Sequence, residues 1–411
     1  MWFGTLTDSH FKINQISVNI YTDFEDLSRV DCALVSYLLT DSCERYPDYK
    51  SMSNRYADLY GMTCVNNNTF GGDMFCSSIT SSVIGDGYAL NGEQLERGCC
   101  ETLLECIFRP KTKDGAFDPQ TTGVLRAELA DIIRGIVNDK KALAKYNAAF
   151  TAFEGEPQGK GLLGTVQEAE SITPESAWRA YRRLIERGHI EIICAGCSDF
   201  STAERIFTEA FAKVNRHNIC ELSTKPSILK PQPRYVKDAA QMQQAVTRMY
   251  FKAPELTDRA ANAIFSLILG GIPTSRFFMN IREKQSLCYY CSCISNRFKR
   301  TLTAYAGVEP QNVEQTQRAI LREFENVCEN GVTAQELEEA KTAARGELSG
   351  IYDSASAISG WYLGQVLGGD IISPEEYRDM LDAVTAERVQ AAARLYTLDT
   401  VYTLGPAEVE Q

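Results

Sequence analysis

The chain carries one pattern twice. Ser171-Ile172-Thr173-Pro174-Glu175 opens a helix that leads into a strand at 189–196. Ala383-Val384-Thr385-Ala386-Glu387 opens a helix that leads into Thr400-Val401-Tyr402-Thr403-Leu404-Gly405. The copies lie about two hundred residues apart, a period that marks a duplicated domain rather than a solenoid. Between them, at 217–236, the composition shifts. Ser223-Thr224-Lys225-Pro226 and Lys230-Pro231-Gln232-Pro233-Arg234 are Pro-rich and poor in apolar residues, the signature of a semi-rigid linker. The expected organisation is two α+β domains, 1–216 and 237–411, joined by the linker 217–236.

A chain of 411 residues with 44% apolar and 23% charged residues has the size and composition for ordinary globular cores. Its net charge of −12 argues against a phosphate-backbone binder, which needs clustered Lys and Arg. The N-terminal Met1-Trp2-Phe3-Gly4-Thr5-Leu6-Thr7-Asp8 lacks a basic segment followed by an apolar one. No apolar run approaches the ~18 residues of a membrane span. The expectation is a cytoplasmic protein with no membrane and no nucleic-acid partner. Its fourteen cysteines are then expected to be thiols that behave as small hydrophobes.

Along the chain, Gln15–Tyr21 alternates, with Ile16, Val18 and Ile20 on one side and Gln15, Ser17 and Asn19 on the other. This predicts a half-buried strand. A helix follows at 28–43, with Val30, Ala33, Leu34, Tyr37 and Leu38 as its apolar stripe. Strands are expected at 62–68 and 74–84, a helix at 92–108 and one long helical zone at 119–153. The second half repeats the plan: a strand at 245–251, a helix at 260–269, strands reaching Ile294 and at 301–308, and helices at 312–329 and 334–353. Thr173-Pro174-Glu175 is a helix start with an N-cap Thr and Pro in the first turn. Thr333-x-x-Glu336 and Ser373-x-x-Glu376 start two more.

Two motifs suggest chemistry and fail on context. Gly159-Lys160-Gly161-Leu162-Leu163-Gly164 has dinucleotide-loop spacing, but it follows a helix and Glu154-Gly155-Glu156-Pro157 instead of leaving a strand. A loop between helices is the expectation. Cys194-x-x-Cys197 has no second Cys pair at zinc-ribbon spacing, and Cys194 lies within a strand where a thioredoxin-type pair would open a helix.

The remaining motif is Ser275-Arg276-Phe277-Phe278-Met279-Asn280-Ile281-Arg282-Glu283-Lys284-Gln285-Ser286-Leu287-Cys288-Tyr289-Tyr290. It starts as an amphipathic helix and ends in a strand. Taken alone it describes a helix–strand junction with a surface Arg. Its pattern S-R-x-F-x-x-x-R-E-K-x-x-L-x-Y resembles the second-domain motif of the pitrilysin/insulinase family, the inverted zincin peptidases. The resemblance implies a duplicated fold whose two domains are each a mainly antiparallel sheet packed by helices. It implies that Arg282 and Tyr289, matching an Arg and a Tyr seven residues later, hold substrate against a zinc.

The first domain does not supply that zinc. The family's H-x-x-E-H motif falls on the 28–43 helix. There Ala33 and Tyr37 take the His positions and Ser36 takes the Glu position. Ala has no donor atom, and Ser is no carboxylate base. The chain has three His, at 10, 189 and 217, and no two stand at i, i+4. Glu128, near the family's third ligand, is expected to be a solvated helix residue. No metal and no cofactor are expected in this chain.

Tyr60-Gly61, Asn138-Asp139-Lys140 and Leu163-Gly164-Thr165 further resemble a bacterial branch of non-catalytic members paired with an active sister protein. Some of that branch are named for an association with elongation factor P modification. The resemblance implies a substrate-positioning subunit that lends Arg282 and Tyr289 to a sister subunit carrying H-x-x-E-H. Zinc, attacking water and base would belong to that partner, and peptides would be the substrate. The alternative is a catalytically silent scaffold or regulator, tied to translation-factor modification. An independent serine or cysteine hydrolase is disfavoured, because none of the three His lies near a G-x-S-x-G.

Overall fold

The alternation over residues 15–21 belongs to the second of twelve strands among the described residues. In the computed structural model, which describes residues 1–24, 27–255 and 258–407, these are β1 (Trp2–Thr7), β2 (Ile13–Thr22), β3 (Thr63–Gly71), β4 (Met74–Ile84), β5 (Thr112–Lys113), β6 (Ala116–Phe117), β7 (His189–Gly196), β8 (Arg234–Ala240), β9 (Ala245–Lys252), β10 (Cys288–Asn296), β11 (Thr301–Val308) and β12 (Thr397–Pro406). They form two five-stranded sheets, ordered β1-β7-β2-β4-β3 and β8-β12-β9-β11-β10, and a small β5–β6 hairpin. Each large sheet has one parallel pair at its edge, β1–β7 or β8–β12, and is otherwise antiparallel. The strand order is the same in both, so the duplication heralded by Thr173 and Thr385 extends through the sheets. The fold is α+β with two similar sheets packed by helices.

The helix starts form as their sequences dictate. Thr173 and Ser373 each cap a helix with Pro in its first turn, and Thr333 makes a reciprocal capping box with Glu336.

The chain divides into two compact units that are not two uninterrupted stretches. The first holds residues 1–134, 162–223 and 351–369; the second holds 135–161, 224–350 and 370–411. The expected long helical zone at 119–153 is broken to allow this. The helix Pro119–Gly135 ends, and Asp139 caps a new one, Lys140–Ala152, accepting from the Lys141 and Ala142 N–H groups at 2.9 and 3.1 Å. In the second unit, Ala144, Ala148 and Ala152 of that helix pack on Val246, Tyr250 and Tyr402. In the first unit, the helix Ala355–Val366 lays Ala355 and Ile358 against Ala195 and Phe11.

That helix changes the environment of β2. The expected half-buried strand is buried on both faces. Ile16, Val18 and Ile20 join the main core with Leu34, Leu38 and Leu103. Gln15, Ser17 and Asn19 on the other face are at most 6% exposed. A buried amide must be hydrogen-bonded. Asn19 Nδ2 donates to Ser17 Oγ at 3.1 Å and to the Glu191 carbonyl at 3.2 Å, and Ser78 donates to its Oδ1.

The expected linker is partly built into the second unit. Residues 227–230 are held there: the Ser227 N–H donates to the Lys299 carbonyl at 3.0 Å, and the Ile228 N–H to Glu156 at 3.1 Å. β8 then starts at Arg234. A charged cluster lies beneath this segment. Lys252 and Asp399 are fully buried and 3.2 Å apart, and Lys252 Nζ also donates to the Ala152 and Ile228 carbonyls at 2.6 and 2.7 Å. Lys299 meets Glu156 at 2.6 Å, and Lys230 meets Asp399 at 3.1 Å. Each buried charge thus has an opposite charge beside it, the condition for tolerating it.

The glycine-rich stretch at 159–164 is a packed turn. A Cβ on Gly159 would lie 2.1 Å from the Phe153 carbonyl oxygen, and Gly161 sits at φ +73°. These glycines serve close approach and a left-handed turn.

Candidate functional site

The motif from Ser275 to Tyr290 is built around wide helical turns. Residues Leu267–Gly271 and Phe277–Glu283 are π-helical, and the Lys284 N–H reaches back to the Met279 carbonyl at 3.1 Å. Such turns are uncommon and concentrate at functional positions. The segment is held from beneath by Phe277 and Ile281, both fully buried, and by Leu287.

Arg276 fixes the start of the motif. Its Nε and Nη2 grip the Glu336 carboxylate at 2.7 and 3.0 Å, Nη1 donates to Asn326 at 2.7 Å, and Nη2 also donates to the Gly331 carbonyl at 3.0 Å. A bidentate, largely buried guanidinium of this kind is an anchor. The sequence pattern contains Arg276 but does not separate this anchoring Arg from the exposed one that follows.

Arg282 is that exposed one. Its side chain is 40% exposed. The guanidinium lies over the Phe278 ring at 4.6 Å, and Nε is 3.7 Å from Glu283. The chain then turns at Ser286, which adopts φ +51°, while the Ser286 and Leu287 N–H groups close onto the Arg282 and Ile281 carbonyls at 3.1 and 3.2 Å. A left-handed non-glycine residue here reverses the chain directly into β10.

β10 opens with a bulge. Cys288 pairs with Val308 and Tyr290 with Gly307, so Tyr289 has no partner across the ladder. Tyr289 is pushed outward and is 49% exposed. Its hydroxyl donates to the Glu309 carboxylate, and this bond raises the phenol above its ordinary range. A cleft of about 700 Å³ adjoins Glu309, lined by Ala245, Pro310, Gln311, Glu314 and Arg318 among others. The turn therefore brings Arg282 and Tyr289 to one helix–strand junction in a single unit, both facing solvent.

The helix on which the resemblance places the lost H-x-x-E-H positions, Arg29–Asp41, is closed. Ala33 and Ser36 are fully buried, and Tyr37 is half-buried. Ser36 Oγ donates to the Ala33 carbonyl at 2.9 Å and accepts from Asn68 Nδ2 at 2.9 Å. Asn66 bonds Thr40 at 2.7 Å one turn on. The helix is zipped to β3 by neutral amides and hydroxyls. A zinc ion does not fit this donor set: Ala33 offers no atom, and the Ser36 hydroxyl is engaged.

Glu128 is exposed on the helix Pro119–Gly135. The three His stand apart, against Asp8, Glu191 and the Asn215 carbonyl. Among the described residues, no three His, Cys, Asp or Glu side chains come together as a metal site. Cys194 is fully buried and Cys197 half-buried, and burial pushes both thiols up, which suits packing better than redox chemistry.

Comparison with known proteins gives one consistent picture. Residues 171–344 match the profile of the family described as "Peptidase M16 inactive domain". A Bacillus subtilis protein named "Probable inactive metalloprotease YmfF" is 22% identical over 92% of this chain and 89% of its own length. The crystal structure of a conserved protein from Enterococcus faecalis superposes with a TM-score of 0.91 at 22% identity, covering 100% of this chain and 97% of that one. A peptidase M16 inactive domain from Pseudomonas fluorescens superposes with a TM-score of 0.79 at 17% identity, covering 100% and 96%.

Proposed function

We infer that the chain is a non-catalytic relative of the pitrilysin/insulinase peptidases, since residues 171–344 match the peptidase M16 inactive-domain profile and Ala33, Ser36 and Tyr37 stand where that family's metal-binding motif falls, and that it acts as a substrate-positioning subunit. It completes a zinc peptidase whose H-x-x-E-H lies on a sister chain. The observation that carries this reading is the contrast within one motif. Arg276 is locked by four hydrogen bonds, while Arg282 and Tyr289 of the same segment stand exposed at the junction, with Tyr289 extruded by a bulge.

Each exposed side chain has a defined task. The Arg282 guanidinium donates to backbone carbonyls of an extended peptide. The Tyr289 hydroxyl leaves Glu309 and donates to the oxyanion forming at the scissile carbonyl, a contact worth roughly 10²–10³ in rate. Zinc on the partner supplies the activated water. This chain's residues bind and orient; they do not attack. No helix among the described residues is long and apolar enough to cross a membrane, and none of the fourteen cysteines is in a disulfide. A cytoplasmic setting is part of this proposal.

The test measures zinc content and hydrolysis of a quenched peptide mixture, for this chain alone and for the chain mixed with a sister protein carrying H-x-x-E-H. The expected result is a zinc-free, inert chain and an active pair that loses activity on Arg282→Ala or Tyr289→Phe. Stoichiometric zinc or peptide cleavage by the chain alone overturns the reading. A pair that forms but stays inert, or that ignores both substitutions, moves the assignment to a scaffold or regulator, including one tied to translation-factor modification.

A further inference from the structure

The bulge that extrudes Tyr289 has a second effect. Side chains alternate along a strand, so residues three apart normally point to opposite faces. The extra residue resets that alternation. Cys288 pairs with Val308 and Cys291 with Ala306, so both cysteines lie on the same face of β10. Cys291 is 5% exposed and Cys288 only partly buried. With Cys291 as its neighbour on that face and the Arg282 charge nearby, the Cys288 thiol is held below its ordinary range, while burial pushes the Cys291 thiol up.

We propose that Cys288 and Cys291 form a reversible dithiol–disulfide pair that closes across the Tyr289 bulge. The half-open sulfur of Cys288 is the attacking group, and the buried sulfur of Cys291 resolves it. With a hydroperoxide as oxidant, the Cys288 thiolate attacks oxygen; an S–O bond forms and the O–O bond breaks. Cys288 becomes a sulfenic acid, and the peroxide is reduced to water or an alcohol. Cys291 sulfur then attacks the sulfenic sulfur. The S–S bond forms, the S–O bond breaks, and hydroxide leaves with the Cys291 proton as water. A small-molecule dithiol reverses the pair.

The other cysteines make Cys288 distinct. Cys64, Cys197, Cys220 and Cys328 are also partly buried, and burial pushes all four thiols up. Cys288 moves the opposite way, drawn down first by the neighbouring Cys291 thiol and also by the Arg282 charge, against burial. Cys43 has a similar thiol partner in Cys106 and is drawn down to about 7, but both are fully buried and closed to an oxidant. Low thiolate cost and access together occur at Cys288.

The consequence for peptide handling rests on the subunit reading above. A disulfide removes the thiolate beside Arg282 and fixes the backbone on both sides of Tyr289. The chemistry itself is testable on the isolated chain, with no partner and no peptide, so the two can fail separately.

The full-length, pre-reduced chain is treated with hydrogen peroxide, alkylated after denaturation and analysed by peptide mass spectrometry. The expected product links Cys288 to Cys291 with loss of two hydrogens, while Cys220 and Cys328 remain alkylated. Native Cys288 reacts with iodoacetamide about tenfold faster than Cys328 at neutral pH. In Cys291→Ser, oxidation stops at a sulfenic acid on Cys288 that dimedone traps; in Cys288→Ser, Cys291 stays reduced. Cys288 reacting no faster than Cys328, or Cys291 remaining free after Cys288 oxidises, overturns the proposal. Circular dichroism of both Ser variants confirms that the comparison is made on folded protein.

Discussion

The two large sheets have the same strand order and solve the covering of their second faces differently. In the first unit, that face of β2, β4 and β7 is polar: Gln15, Ser17, Asn19, Ser78 and Glu191 are all nearly inaccessible. A helix of small and apolar residues, Ala355–Val366, contributes its cover. In the second unit, the corresponding face carries Val246, Tyr250, Tyr402 and Leu404 under the Ala-rich helix Lys140–Ala152. There the buried polarity is concentrated in Lys252, Asp399 and their neighbours at one end. One topology thus accepts a network mainly of amides and hydroxyls, with Glu191 set against His189, in one copy and a buried Lys–Asp cluster in the other. The central groups are partnered in both, Asn19 in one and Lys252 with Asp399 in the other, although Gln15 Oε1 has no hydrogen-bond partner; the ionic solution fails harder when one member is lost.

The largest effect should therefore come from Asp399→Ala. It leaves Lys252 fully buried beside Lys230, at a cost of roughly 3–5 kcal/mol, read from the denaturation midpoint. The cluster also gives the second unit a pH signature. Burial works to raise the Asp399 carboxyl, but the Thr400 hydroxyl, the Lys230 N–H and the charges of Lys252 and Lys230 together hold it below the ordinary carboxylate range. A depressed carboxyl contributes stability in full above its unfolded value, about 3.9, and loses it as pH falls through the folded value. Stability should fall from about pH 4 downward, and Asp399→Asn should flatten that fall.

Ile358→Ala comes next. It opens a cavity over Ala195 on the first sheet, at roughly 2–5 kcal/mol. If it costs nothing measurable, the helix Ala355–Val366 does not stabilise the first unit and the comparison between the two covers breaks. Asn19→Ala should cost about 1–3 kcal/mol by orphaning Ser78 and its strand neighbours. A loss as large as that of Asp399→Ala would erase the distinction between the amide–hydroxyl network and the ionic cluster. The smallest stability effect is expected at the exposed junction. Tyr289→Phe should leave the denaturation midpoint unchanged, since its hydroxyl bonds a carboxylate at the surface. Intact stability with lost activity of the pair would separate positioning from packing.

How much was legible depends on whether the signal was local. Thr173, Thr333 and Ser373 announced helix starts because capping is decided within four residues. The strand Trp2–Thr7 gave a weaker signal: it is a parallel edge strand whose partner, β7, lies far along the chain. The helix Ala355–Val366 lacks an apolar stripe because small residues surround it, and only its packing on β7 reveals its role. At the site, the spacing of Arg282 and Tyr289 was visible. The π-turns, the left-handed Ser286 and the bulge were not, because each is a backbone departure that its residue types alone do not require.

By itself, the sequence determined the duplication, the helix starts, the motif that carries Arg282 and Tyr289, and the presence of Ala33, Ser36 and Tyr37 rather than His or Glu on the 28–43 helix. These follow from residue identity and near-neighbour spacing. Tertiary structure alone decided that residues 135–161 and 351–369 belong to different units from the residues that flank them in sequence, that β2 is buried on both faces, and that Cys288 and Cys291 share a side of one strand. The physical reason is common to all three. Each depends on which distant surface or ladder a segment meets, and burial and register are set by that meeting rather than by the segment's own composition.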